Sequence, residues 1–138
     1  MARGGTFGGI FIDENILGVA YELDSLHPGL VYWVGHPAIL EIPPSTKDTD
    51  LLDALGSGNL DLIFVTRDKR IRRDRIEREH LMRSAVRAVF LTSAKNMNKS
   101  QMAALIEQSW DQIAQEVGLS SGPSLWSLTP SNGLKPIN

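Results

Sequence analysis

Short apolar runs alternate with amphipathic stretches along the whole chain. The run ending at Phe11-Ile12 predicts a first strand over Thr6–Ile12. At Asp13 it hands over to a helix whose stripe is Ile16, Leu17, Val19, Ala20, Leu23 and Leu26, with the Asp13 carboxylate as its cap. His27-Pro28-Gly29 stops that helix, and Leu30–Val34 reads as a short second strand. Pro37, Pro43 and Pro44 punctuate a loop that runs to Lys47. Asp48–Leu55 then has the form of a short helix with Asp48 at its cap, ended by Gly56-Ser57-Gly58. The third strand is predicted at Leu62–Val65, a helix at Asp74–Ser84 and a fourth strand at Val86–Leu91. Gln101–Val117 carries the longest amphipathic pattern, with Met102, Leu105, Ile106, Trp110, Ile113 and Val117 on one side. Gly122–Leu128 offers a last strand, and its flanking prolines assign it to a sheet edge.

Alternating strands and helices imply an α/β fold with a mostly parallel central sheet flanked by helices on both faces, because parallel strands need crossover connections. A chain of 138 residues suits a single domain over 1–138, with its core in 6–117 and a C-terminal edge strand and tail in 122–138. Hydrophobic and charged contents of 42% and 22% are those of an ordinary globular protein, and no apolar run approaches a membrane span. Met1–Gly5 lacks the hydrophobic stretch of a secretory signal, and cysteine is absent. A cytoplasmic location without thiolate chemistry is therefore expected.

The net charge of -2 hides an uneven distribution: of 14 Lys and Arg, nine fall between Arg67 and Arg87. That basic stretch follows a second strand-end carboxylate, Asp68, which would face Asp13 if the two strands are parallel neighbours. Asp48 opens a helix that can bring a third. Oxygen-only clusters of this kind hold Mg²⁺ or Mn²⁺ and leave positions open for a phosphate and a water. A basic region beside them suits a polyanion, although a solvated helix face with Glu77 and Glu79 as partners explains the arginines equally well. Aspartates at strand ends and caps are also common for structural reasons. His27, His36 and His80 lack metal-ligand spacing, and Ser93 lacks a recognisable triad. Trp110 reads as core, while Trp33 and Trp126 fit either core or edge. A receiver-like signalling domain is a rival reading, with Thr92-Ser93-Ala94-Lys95 near a later strand end. Against it stands the arginine-rich run, where a receiver would place a helix of different character.

Phe11-Ile12-Asp13-Glu14-Asn15, Asp48-Thr49-Asp50-Leu51-Leu52 and Val65-Thr66-Arg67-Asp68-Lys69-Arg70-Ile71-Arg72-Arg73 resemble the successive motifs of PIN-like domains, the nuclease fold of VapC-type toxins. The last motif is the most specific and is similar to that of a small PIN-like group in which a glutamate follows the arginines, at Glu77 here. The resemblance covers most of the chain. It implies a metal-dependent endoribonuclease, often the toxin of a toxin-antitoxin pair, held inactive by an antitoxin protein; a homodimer is also open. It assigns Asp13, Asp48 and Asp68 as catalytic metal-binding acids, with Asp50 as the alternative middle acid. Glu14, Asp53 and Glu77 stand behind them, and Arg67, Lys69, Arg70, Arg72 and Arg73 would bind RNA phosphates. The fourth acid of many PIN nucleases has no clear counterpart, which keeps open a catalytically inactive module that binds RNA or protein.

Overall fold

The computed structural model of the chain describes residues 7–39, 42–44, 46–56, 61–67, 75–120 and 123–137. Strand β1 (Gly9–Ile12) leads through a 3-10 turn (Glu14–Ile16) into α1 (Leu17–Leu26), and β2 (Val31–Tyr32) follows. Next come α2 (Asp48–Gly56), β3 (Leu62–Thr66), α3 (Arg75–Arg83) and β4 (Arg87–Phe90). A second 3-10 turn (Ala94–Asn96) precedes α4 (Lys99–Gln108) and α5 (Trp110–Gln112), which widens into a π-helical segment (Ile113–Val117). The chain closes with β5 (Ser124–Thr129) and β6 (Gly133–Pro136).

These strands form one sheet in the order β2-β1-β3-β4-β5-β6, parallel from β2 to β5, with β6 antiparallel to β5. Strands buried on both faces call for apolar side chains at successive rather than alternate positions, which is why β1, β3 and β4 read as near-continuous apolar runs, broken only by Thr66 at the end of β3 and Arg87 at the start of β4. Successive residues point to opposite faces. Ile10, Ile12, Ile63, Val65 and Val89 pack with α1, α4 and α5, whereas Phe11, Phe64, Ala88 and Phe90 pack with α2 and α3. At the start of β1, Gly9 has φ 131°, and a Cβ there would lie 2.6 Å from the Leu30 carbonyl oxygen, so no other residue fits without moving the chain.

Several expectations are corrected. The strand predicted at Gly122–Leu128 corresponds to β5 and is not at an edge: β5 pairs with β4 on one side and β6 on the other. Its prolines, Pro123 and Pro130, lie just outside it and remove no ladder donor, and the described residues of 122–138 add two strands, of which β6 forms the edge of the sheet. The Gln101–Val117 helix begins earlier and is interrupted at Ser109, whose N–H reaches the carbonyls of both Leu105 and Ile106. Its predicted stripe is nonetheless all buried. Leu26 does not join the α1 stripe and is 59% exposed at the helix end. Trp33 and Trp126 are half-buried against the core, and Trp110 is buried, stacked on His27 with ring centroids 3.7 Å apart. The His27 ring also bonds the Glu107 carboxylate, which places it in packing between α1 and α4.

Candidate functional site

The order of the strands locates the site before any side chain is considered. From β1 the chain moves outward to β2, then returns past β1 to β3, so the direction of winding reverses between β1 and β3. At such a switch point the connections leave in opposite directions and open a crevice beyond the carboxyl ends of the strands, where ligands bind in open α/β sheets.

Asp13 and Thr66 occupy that crevice. The register sets Ile12 opposite Val65, and the Asp13 N–H extends the ladder to the Val65 carbonyl at 3.0 Å. Asp13 starts the 3-10 turn with its backbone carbonyl, which accepts from Ile16 at 3.0 Å, but its side chain makes no cap bond. This corrects the predicted cap. The carboxylate is turned to the neighbouring strand instead, where the Thr66 hydroxyl donates to Oδ2 at 2.6 Å; the Asn15 amide approaches the same oxygen at 3.5 Å. Asp13 is 6% exposed and Thr66 fully buried. Among the described residues Asp13 is the only buried carboxylate. Removing such a group from water is costly unless partners compensate, so its place at a ligand-binding edge calls for a functional explanation.

The remaining predicted residues separate into three groups. Glu14, Asp50 and Asp53 are exposed; Asp53 accepts from the Ser84 hydroxyl at 3.0 Å and thereby ties α2 to the end of α3. Asp48 is not the cap of α2 but its first residue: the Leu51 N–H bonds the Lys47 carbonyl at 2.8 Å, so Lys47 holds the cap position. Asp68, Lys69, Arg70, Arg72 and Arg73 lie outside the described residues, as do the side chains of Asp48 and Glu77. Among the described residues no three His, Asp or Glu side chains gather into a metal-binding group. Arg67 is described, exposed, directly after β3.

Beside Asp13 a groove of about 280 Å³ runs between the start of α1 and the start of α4, with Asn15, Gly18, Arg67, Met97, Asn98 and Lys99 in its walls. Sequence reasoning passed over Thr66, Asn98 and Lys99. For Thr66 the available signal was a hydroxyl residue ending an otherwise apolar buried strand; for Asn98 it was the spacing to Gln101 that marks a capping box.

On the N-terminal side of the sheet, Arg87 is buried in β4 and donates to the Gly118 carbonyl at 2.7 Å. Burial pushes its pKa below the ordinary arginine value, opposed in part by the charge of Asp61. It braces the fold and has no part in the crevice.

The sequence profile of a family described as "PIN like domain" matches residues 9–93, from the first residue of β1 to just past β4. The chain belongs to the PIN-like domain family. Members are often nucleases and typically bind divalent metals. No curated protein and no solved structure matches the chain. The family decides against a receiver-like reading, which the strand order alone does not, since flavodoxin-like receivers share the order 2-1-3-4-5. The match also stops short of α4, so the far wall of the groove is contributed by residues beyond the matched segment of this PIN-like chain. No described helix is long and apolar enough to cross a membrane.

Proposed function

We propose that this PIN-like protein is a Mg²⁺- or Mn²⁺-dependent endoribonuclease built as one domain, and that it acts as the toxin of a toxin-antitoxin pair. The observation that carries the reading is the buried Asp13 carboxylate at the switch point, held by Thr66. The donor chemistry fits a hard cation: a carboxylate with its orientation fixed by a neighbouring hydroxyl is an oxygen ligand prepared for Mg²⁺ or Mn²⁺. Asp13 would hold the ion together with Asp68 and with Asp48 or Asp50. When bound, the ion supplies a polarised water and neutralises charge that grows on the phosphoryl oxygens. The chain's own contribution is positioning. Thr66 fixes the rotamer of Asp13, and the basic segment of Arg67, Lys69, Arg70, Arg72 and Arg73 draws in the RNA backbone as point charges without reading bases. Neither a histidine nor a serine nucleophile is required.

The deciding experiment is cleavage of single-stranded RNA by the purified protein. Cleavage is expected with Mg²⁺ or Mn²⁺, to vanish with chelator and to be absent in Asp13→Ala while that variant still folds. Cleavage that survives both changes would reject the mechanism, and none under any metal would leave a PIN-like module that only binds RNA or protein. The toxin assignment predicts arrested growth on expression, relieved by Asp13→Ala.

A further inference from the structure

Of the residues that line the groove beside Asp13, the reading above uses Arg67 alone. Two cations stand in its walls, Arg67 after β3 and Lys99 at the start of α4, and both are exposed. Among the described residues neither is paired with a carboxylate. Lys99 is held by packing: a Cβ on Gly18 would lie 2.2 Å from its Cδ, so the aliphatic stem crosses α1 at the point where a side chain is missing. The half-buried Met97 and the buried Met102 also line the groove. Asn15 lines the groove while its amide approaches Asp13 Oδ2, which makes the groove continuous with the buried carboxylate.

Two cations beside the amides of Asn15 and Asn98, with Met97 as an apolar neighbour, suit a phosphate with its sugar attached. A volume of about 280 Å³ falls at the lower limit of sites that enclose a whole small ligand, roughly 300 Å³, and is too small for a duplex. At the start of α4 the Gln101 N–H is already taken by Asn98 Oδ1 at 2.8 Å and the Asn98 N–H by the Gln101 side chain at 2.9 Å, so neither amide is open to a ligand and the charge comes from the two side chains.

We propose that Arg67 and Lys99 clamp the phosphate of a nucleotide adjoining the one cleaved, so that single-stranded RNA leaves the Asp13 edge between α1 and α4. The proposal rests on the nuclease reading for the word "adjoining", but the anion site itself does not. The test is binding of a short oligouridine to the full chain in chelator, followed by fluorescence anisotropy across a salt series. Lys99→Met keeps the stem over Gly18 and removes the charge. Its log K against log salt slope is expected to be shallower than wild type by about 0.7, the share of one phosphate contact on a single strand. Lys135→Met, on β6, is expected to keep the wild-type slope. An unchanged slope in Lys99→Met, an equal drop in Lys135→Met, or displacement of the RNA by polyglutamate at matched charge would overturn the clamp. Cleavage assays run separately distinguish the two readings. A wild type that shows the Lys99-dependent slope without cleavage keeps the groove and rejects the nuclease; one that cleaves with a Lys99-independent slope does the reverse.

Discussion

Thr66 supplies a 2.6 Å hydrogen bond to a carboxylate that the fold keeps from water. A hydrogen bond to a charged group contributes about 1.5–3 kcal/mol, so Thr66→Val should lower stability in urea by about that amount. In an Asp13→Asn background the same change should cost clearly less, because the charge that needed the donor has gone. Equal losses in the two backgrounds would assign Thr66 to packing alone. Asp13 itself was legible in the sequence, since an acid that ends an apolar run announces a strand end. Thr66 was not, because its partner is fixed by the register of Ile12 against Val65, and register is a property of two strands together. Arg87 poses the opposite case, a buried cation. Its lowered pKa means that the fold carries a desolvation penalty wherever the guanidinium is charged, lifting only as pH climbs through that lowered value toward the ordinary arginine range. No pH dependence from Arg87 is therefore expected near neutrality. Arg87→Met would still strip Gly118 of its donor, and a loss of about 1–3 kcal/mol is expected from thermal unfolding.

Among the elements, α4 starts from a reciprocal cap. Asn98 Oδ1 accepts from the Gln101 N–H at 2.8 Å, and the Gln101 side chain accepts from the Asn98 N–H at 2.9 Å. Asn98→Ala should cost about 1 kcal/mol, within a range of roughly 0.5–2. Since Asn98 and Lys99 both line the groove, the RNA affinity of that variant should fall as well; a stability loss with intact affinity would separate the helix start from the groove. Strands β1, β3 and β4 and the helix stripes could be read from the apolar pattern because each buries several residues. β6 could not: of Gly133, Leu134, Lys135 and Pro136 only Leu134 is buried, so hydrogen bonding to β5, and not burial, makes it a strand. The turn before it, Pro130-Ser131-Asn132-Gly133, is built from turn-forming residues, with Gly133 at φ 65°.

For the whole molecule, β6 covers what would otherwise be the open edge of β5. Removal of residues 130–138 should expose a row of unpaired backbone groups and the buried Leu128, and self-association by sedimentation is expected. A truncated chain that stays monomeric would show the edge to be protected in another way. The layered α/β architecture was legible as a whole because it follows from alternation alone, whereas the meeting of Asp13 with Thr66 depends on strand register, which alternation does not reveal. The bond between Asp13 and Thr66 also has a consequence in time. It joins residues 53 apart in the chain, and a ribosome adding roughly 5–20 residues per second needs roughly 3–10 s to cover that interval. Through those seconds the emerging N-terminal segment carries its acid without the strand that orients it. On the nuclease reading proposed above, the chain would in this way be harmless to the ribosome still making it.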